Sequence, residues 1–483
     1  MNNRLPLYQG TDRLLFGMIF GVLAFWLFAQ TTLNINVDMA RDLGMDQSVM
    51  NIAVSITSLF SGIFIVVVGG LADRVGRVKI ILMGFVFNIL GSLLVAITPA
   101  GAMATPFLIA GRILQGLSGA CIMPASLALV KAYWDGKARQ RAVSLWSIGS
   151  WGGSGLCALF GGLVASNLGW RYLFWGSIVI SIIGFIMVKG TPESKGEIRK
   201  DYKFDLVGVI TFMIALISLQ VLLTKGSEFG WRSTISIILF VAFIIFGYAF
   251  YKTEKGNNNA FVDFSLFKNR TYTGATISNF LLNAVAGILI VSLMLLQTGG
   301  GMNAQDAGLL TIGYAIAIIA FIRVGEKLLQ KFGPRKPMIW GSLIVALSIL
   351  LLMPTQLMIA DYKILAIIAY TLFGLGLAFY ATPSTDAALS NLPDSSAGSG
   401  SGIYKMASSL GAALGVAISA GIFTALSANS NSILWLEGVI SFEGRQDNLA
   451  VRQAALIALA VNLLMVMLAI ISISLTIPRQ AKK

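Results

Sequence analysis

The chain contains no histidine, so the usual imidazole ligand for zinc and the usual proton relay near neutral pH are both excluded. Cysteine is nearly absent: Cys121 and Cys157 both fall inside apolar runs, which leaves no disulfide framework and no thiolate cluster for a metal. Charge is scarce too. Only 12% of the 483 residues are Asp, Glu, Lys or Arg, against about 25% in soluble domains. Acids are the rarer sign, 21 against 35 basic residues, so any proton coupling must draw on few carboxylates. No G-x-x-x-x-G-K-[ST] phosphate loop is present, which argues against an ATP-driven pump, and no catalytic constellation marks an enzyme. Neither a cofactor nor a metal is expected.

What fills the chain is apolar: 56% of residues are hydrophobic and the mean hydropathy is +0.81. Runs of the roughly 20 residues needed to span a bilayer occur near 14–35, 48–71, 78–98, 102–126, 140–165, 170–189, 204–224, 232–251, 274–297, 305–324, 337–355, 362–383, 402–427 and 450–477. These fourteen runs predict an all-α polytopic membrane protein. The first is too long for a signal-peptide core and lacks a small-residue cleavage site, so it reads as a retained helix. A net charge of +14 would in a soluble protein raise the question of nucleic acid. Here the cations cluster between apolar runs and need no partner beyond anionic membrane lipid. Most Lys and Arg fall on one set of alternate loops, which places both termini in the cytoplasm.

Two charged segments, 189–205 and 251–273, bracket the seventh and eighth runs. The expected organisation is a six-helix bundle over 1–190, linkers and two insert helices over 191–273, and a second six-helix bundle with its tail over 274–483. A loose repeat agrees: Gly325, Glu326, Lys327, Gly333, Arg335 and Lys336 follow the second helix of the later bundle, where Gly69 to Lys79 follow that of the earlier one. The stretch SSAGSGSG at 395–402 reads as a flexible connection between two helices.

The tight segment GGLADRVGRVK joins the second and third runs. Its glycines let helix ends approach, and Asp73 has partners at hand in Arg74, Arg77 and a neighbouring helix N-terminus, a geometry for a latch. It resembles the loop between helices two and three of major facilitator superfamily transporters, with Gly69, Asp73, Arg74, Gly76 and Arg77 at the motif's positions and one extra residue, Val78. The resemblance implies a gating loop that braces the two halves in one transport state. In the fourth run, Arg112 lies deep among apolar residues with Gln115 and Gly116 beside it, so it is expected to face a cavity or a carboxylate. It is similar to the family's fourth-helix arginine, which is linked to proton transfer. The fifth run carries Gly149, Gly153, Gly161 and Gly162, a density suited to close helix packing. It resembles the antiporter motif of drug exporters, except that the motif's Gly-Pro is Cys157-Ala158, so its proline kink is expected to be missing.

Further stretches, among them Thr191-Pro192-Glu193-Ser194, resemble the fourteen-helix drug:proton antiporter branch. FWLFAQ, SIGSWGGSG, YTGATISNFLLN, YATPSTD and GIYKMASSLG resemble the staphylococcal quinolone-efflux (Nor-type) proteins. The acidic residue common in helix one of that branch is missing, since Ala29-Gln30-Thr31-Thr32 stands there. Asp38 and Glu326 are the replacement candidates for coupling, with Asp386 behind them. Polar and aromatic residues that could line a midplane pocket are Phe25, Trp26, Gln30, Asn34, Trp151, Asn279, Asn283, Tyr314 and Tyr380. Lys405 is either an anion or proton-linked site or a snorkelling cation. The resemblance implies proton-driven export of amphipathic drugs such as quinolones and dyes across the bacterial plasma membrane; biocides are expected among the substrates, and the protein is expected to be a monomer. A transporter of an endogenous lipid or metabolite is the alternative.

Overall fold

The structure, a computed structural model, describes residues 8–45, 47–196, 205–257, 260, 262–302, 304–427 and 448–479. Inside hydrocarbon a backbone must satisfy its own N–H and C=O groups, and a helix does this within one segment. Among the described residues there is accordingly helix and no strand. In order, the helices are α1 (Asp12–Leu23), α2 (Thr32–Leu43), α3 (Gln47–Val75), α4 (Arg77–Ala96), α5 (Ala104–Tyr133), α6 (Gly136–Ser147), α7 (Gly153–Asn167), α8 (Arg171–Val188) and α9 (Leu206–Phe229). They continue as α10 (Thr234–Glu254), α11 (Arg270–Ala284), α12 (Gly287–Met294), α13 (Ala304–Leu309), α14 (Ile312–Phe332), α15 (Arg335–Leu352), α16 (Ile359–Ser390), α17 (Ala397–Ser427) and α18 (Leu449–Thr476). Among the described residues 12 spans are long and apolar enough to cross a membrane, the fifth run is a bent pair, and the seventh holds the shorter apolar helix Leu206–Leu222. Each apolar run thus has its helix.

Three stretches differ from expectation. The first run is not one regular helix: α1 passes into a π-helical turn at Ala24–Ala29, and after Gln30 and Thr31 the chain resumes as α2, reaching Leu43. The fifth run is kinked without proline, by 55° between Gly136–Cys157 and Leu159–Asn167. The Thr31 hydroxyl donates to the Cys157 carbonyl at 2.7 Å and occupies the place where a Cβ on Gly161 would lie. A side chain inserted into the helical ladder, next to a π turn at Ile148–Gly152, bends a helix as a proline would. Finally, 395–402 is no flexible linker. From Ala397 it is the first turns of α17, where Gly398 and Gly402 are buried. A Cβ at Gly402 would meet the Ile65 carbonyl oxygen at 2.8 Å, so the small residues serve close backbone packing.

The described chain forms two compact units. The first comprises Met1–Met213, Gly247–Tyr272 and Thr385–Met406. Met39, Leu43, Met50, Leu108, Trp170 and Phe174 form an apolar cluster in it, and Asn88 on α4 donates to Ser177 and Ser181 on α8 at 2.9 and 2.8 Å. The second comprises Ile214–Phe246, Thr273–Ser384 and Ala407–Lys483. Within it hydroxyl pairs replace apolar contact at buried points, as where Ser292 and Tyr370 meet at 2.6 Å. The unit boundaries fall inside α9, α10, α11, α16 and α17. Only 6% of the apolar window of α10 is buried, with Ile235, Ile238, Phe240 and Ile245 exposed, the surface of a helix meant for lipid.

Candidate functional site

At the end of α3, Asp73 is buried, and its carboxylate accepts from the Gly398 amide at 2.8 and 2.9 Å and the Ser399 amide at 3.0 Å. These are first-turn donors of α17, which have no partner inside their own helix, so a carboxylate there satisfies both the amides and the helix dipole. Arg77 closes the other side, donating to Asp73 through Nε at 3.0 Å and Nη2 at 2.8 Å. Arg77 Nη2 also reaches the Asp394 carbonyl at 2.7 Å. Gly69 permits the approach: a Cβ on it would lie 2.5 Å from the Gly398 carbonyl oxygen. Gly76 has φ 131°, a backbone open to glycine, and the Glu193 carboxylate fills the space a Cβ would take. Arg74 is half-buried in the last turn of α3.

Glu193 accepts from the Val78 and Lys79 amides at 2.8 and 3.1 Å and so caps α4. The Arg77 amide donates to the Ser194 carbonyl at 3.0 Å, and the Gly196 amide to that of Asp73 at 2.6 Å. Two further pairs bind the 385–406 segment to the same unit. Arg139 Nε lies 3.1 Å from Asp386 Oδ1, with Nη2 donating to Ser390 at 2.7 Å, and Lys131 Nζ lies 3.2 Å from Asp394. Sequence reasoning missed Gly398, Ser399, Arg139 and Lys131 as partners, and valued Glu193 only through its resemblance. The available signal was a buried aspartate needing donors, and a Gly-x-x-x-Gly spacing at 398–402.

Arg112 is wholly buried and faces neither a carboxylate nor open space among the described residues. Its guanidinium donates to the carbonyls of Ala29 at 2.7 Å, Ala53 at 3.2 Å and Val54 at 3.4 Å, and to Gln115 Oε1 at 2.8 Å. Gln115 passes the chain on to Ser92 at 3.0 Å. The carbonyl of Ala29 is available because the helix breaks at Gln30, so Arg112 ties the broken helix to α3 and α5. Phe25 is buried against Gly119, and Trp26 packs over Gly153 with its indole N–H buried and unpartnered among the described residues. Gln30 donates to Ser58 at 3.2 Å. The side chain of Asn34 lies outside the described residues. Trp151 is half-buried in the π turn of the fifth run. A Cβ on Gly149 would meet Ile19 at 3.2 Å and one on Gly153 would meet Trp26 at 3.2 Å, so these glycines, with Gly161, admit α1 and its π turn. Gly162 differs: it is exposed, and a Cβ built on it would meet nothing described within 4 Å.

In the second unit, buried Tyr380 meets Ser278 at 2.7 Å and accepts from Ser384 at 3.0 Å. Asn279 donates to Ser408 at 2.6 Å, and Asn283 donates to the Asn279 carbonyl at 2.7 Å, so the two amides do share a face. Tyr314 stacks on Phe373 with centroids 5.3 Å apart. Glu326 is buried between Arg323 and Gln330, the latter donating at 3.1 Å. Asp38, by contrast, is exposed and 3.8 Å from the equally exposed Arg41. Near it, the Arg171 guanidinium bonded to Asp42 holds that carboxyl below the ordinary carboxylate value.

The family model described as Major Facilitator Superfamily matches residues 14–416 and 273–472. The chain is 48% identical over 444 residues to a protein named quinolone resistance protein NorB of Staphylococcus aureus (strain MRSA252), covering 90% of this chain and 95% of the relative. It is 46% identical over 473 residues to the protein of the same name from strain bovine RF122 / ET3-1, covering 98% and 97%. Among solved structures it is similar in fold to the proton:xylose symporter XylE bound to 6-bromo-6-deoxy-D-glucose, with TM-score 0.63, 16% identity and coverage of 97% and 94%. The human organic anion transporter MFSD10 aligns with TM-score 0.59 at 14% identity, covering 96% and 98%.

Proposed function

Since the chain belongs to the Major Facilitator Superfamily, we propose that it exports quinolones and other amphipathic drugs, dyes and biocides among them, in exchange for protons, from a bacterial plasma membrane with both termini in the cytoplasm. The observation that carries the transport mechanism is the capping of α17 by Asp73. Thr385–Met406 groups with the first unit while the rest of α16 and α17 belongs to the second. Alternating access requires that segment to come away. The bonds made by Asp73, Arg77, Lys131 and Arg139 are then those that break when the cytoplasmic side opens. Such a latch needs only a few kcal/mol to control populations.

The substrate class comes from the staphylococcal relatives' name, at 48% and 46% identity over nearly the whole length. For coupling, Glu326 is the better of the two carboxylates, because it is buried against a cation whereas Asp38 is in solvent. Arg112 acts through the broken first helix rather than through an acid. A monomer suffices. The test is energised efflux of a fluoroquinolone and of ethidium from cells expressing wild type, Asp73→Asn or Glu326→Gln at matched levels, with and without a protonophore. Efflux by wild type that the protonophore abolishes is expected. Efflux that persists without a proton gradient would remove antiport, and retention of both compounds would remove drug export.

A further inference from the structure

Lys405 is a buried cation that the latch does not use. It lies on α17, 4% exposed, and seven residues beyond Gly398, a rise of about 10 Å along the helix. Its ammonium sits over the indole of Trp146, 4.9 Å from the ring centroid. Trp146 is itself fixed: it is 1% exposed and donates from Nε1 to Ser126 Oγ at 2.8 Å.

The other buried cations among the described residues are matched to oxygen. Arg77 has Asp73, Arg112 has three carbonyls and Gln115, and Arg452 has the carbonyls of Thr355 and Leu357 at 2.5 and 2.8 Å. For Lys405, among the described residues, the aromatic face is the contact and no carboxylate lies within 4.0 Å. An ammonium carries three donors. A π face engages it from one side only and returns part of what burial removes. An anionic acceptor is the chemical complement of those donors.

We propose that Lys405 is the docking point for the carboxylate of an acidic amphipathic substrate, with Trp146 holding the ammonium while the site is empty. This rests on the export reading above and narrows its substrate class: quinolones carry an acid on a planar ring, whereas cationic dyes do not. A substrate carboxylate drawing the ammonium off the indole loosens a contact between α17 and α6 about 10 Å from the latch. Acidic cargo is thereby favoured in the step that frees the 385–406 segment.

The experiment is equilibrium binding of norfloxacin and its methyl ester to the purified full-length transporter in detergent, comparing wild type, Lys405→Gln, Lys405→Met and Lys405→Arg. Wild type is expected to prefer the acid by about 10- to 100-fold, which is about 1.4–2.8 kcal/mol. Both neutral variants should bind acid and ester alike at the wild-type ester affinity, and Lys405→Arg should keep most of the preference. The assignment is overturned, and export left standing, if wild type binds acid and ester equally, or if a neutral variant keeps the preference or loses both ligands together. Wild type binding neither form overturns quinolone export and this site with it. The wild-type acid-to-ester ratio needs no variant, so a misfolded substitution does not leave the matter open.

Discussion

Asp73→Asn removes one charge and little volume from the latch, and its effect can be worked from the distances. The carboxylate takes the Gly398 and Ser399 amides at 2.8–3.0 Å and Arg77 at 2.8 and 3.0 Å. Hydrogen bonds to charged groups contribute roughly 1.5–3 kcal/mol each. An asparagine keeps one acceptor oxygen and puts an NH2 against other donors. Arg77 keeps the Asp394 carbonyl and Ser194 Oγ at 2.7 and 3.0 Å, so its charge is not stranded. A net loss of ~3 kcal/mol is expected, enough to carry a 99:1 closed-to-open ratio to about even. Spin labels at Lys137→Cys and Ser395→Cys, both exposed positions of the first unit, report the closure. Wild type should give one short distance, and Asp73→Asn a second, longer population of comparable weight. An unchanged distribution in folded Asp73→Asn protein would refute the latch, and unchanged efflux by that protein would refute its part in transport.

Arg112→Met should strip donors from three carbonyls and from Gln115, costing about 3 kcal/mol; the drop in melting temperature in detergent measures it, and an unaltered midpoint would show that the tie is dispensable. Glu193→Ala uncaps α4 and should cost ~1 kcal/mol, read as lower thermal stability together with faster opening of the 385–406 segment. Gly161→Ala places a methyl on the Thr31 hydroxyl, so activity should fall and be recovered in part by Thr31→Ala; no rescue would detach the kink from that contact. Asp42 is held below its ordinary value by Arg171. Its contribution is therefore complete above the unfolded value of about 4 and is lost as pH falls through the lower folded one. Being half exposed, the pair is worth no more than about 1 kcal/mol, so Asp42→Asn should cost little at neutral pH and nothing at the acid end.

Composition and run length were enough for an all-helical membrane chain, because a bilayer leaves the backbone few alternatives. The motif residues Gly69, Asp73, Gly76 and Arg77 could be picked out from charge and glycine packed into one short turn. That Asp73 meets a helix N-terminus follows from its chemistry, but not which helix: Gly398 and Ser399 are 325 and 326 residues away, and their composition looks like a linker's. Glycine and serine read as flexible in isolation because they lack bulk, and pack tightly in a helix pair for the same reason. The fifth-run kink escaped prediction because its cause, Thr31, is 126 residues from Cys157. Arg112 was legible as a deep cation, whereas its carbonyl partners were not: that of Ala29 is available only where the first helix breaks, and those of Ala53 and Val54 lie on a different helix.

The sequence by itself determined that this chain crosses a membrane many times, where its charges lie, and that a tight turn rich in glycine and charge joins its second and third apolar runs, since hydropathy and local spacing are properties of short segments. Tertiary structure alone decided which charges meet, that Lys405 rests on Trp146 rather than on an acid, and that Thr385–Met406 keeps company with the first unit. Those pairings depend on backbone approach between segments hundreds of residues apart. Small residues permit such an approach without specifying it.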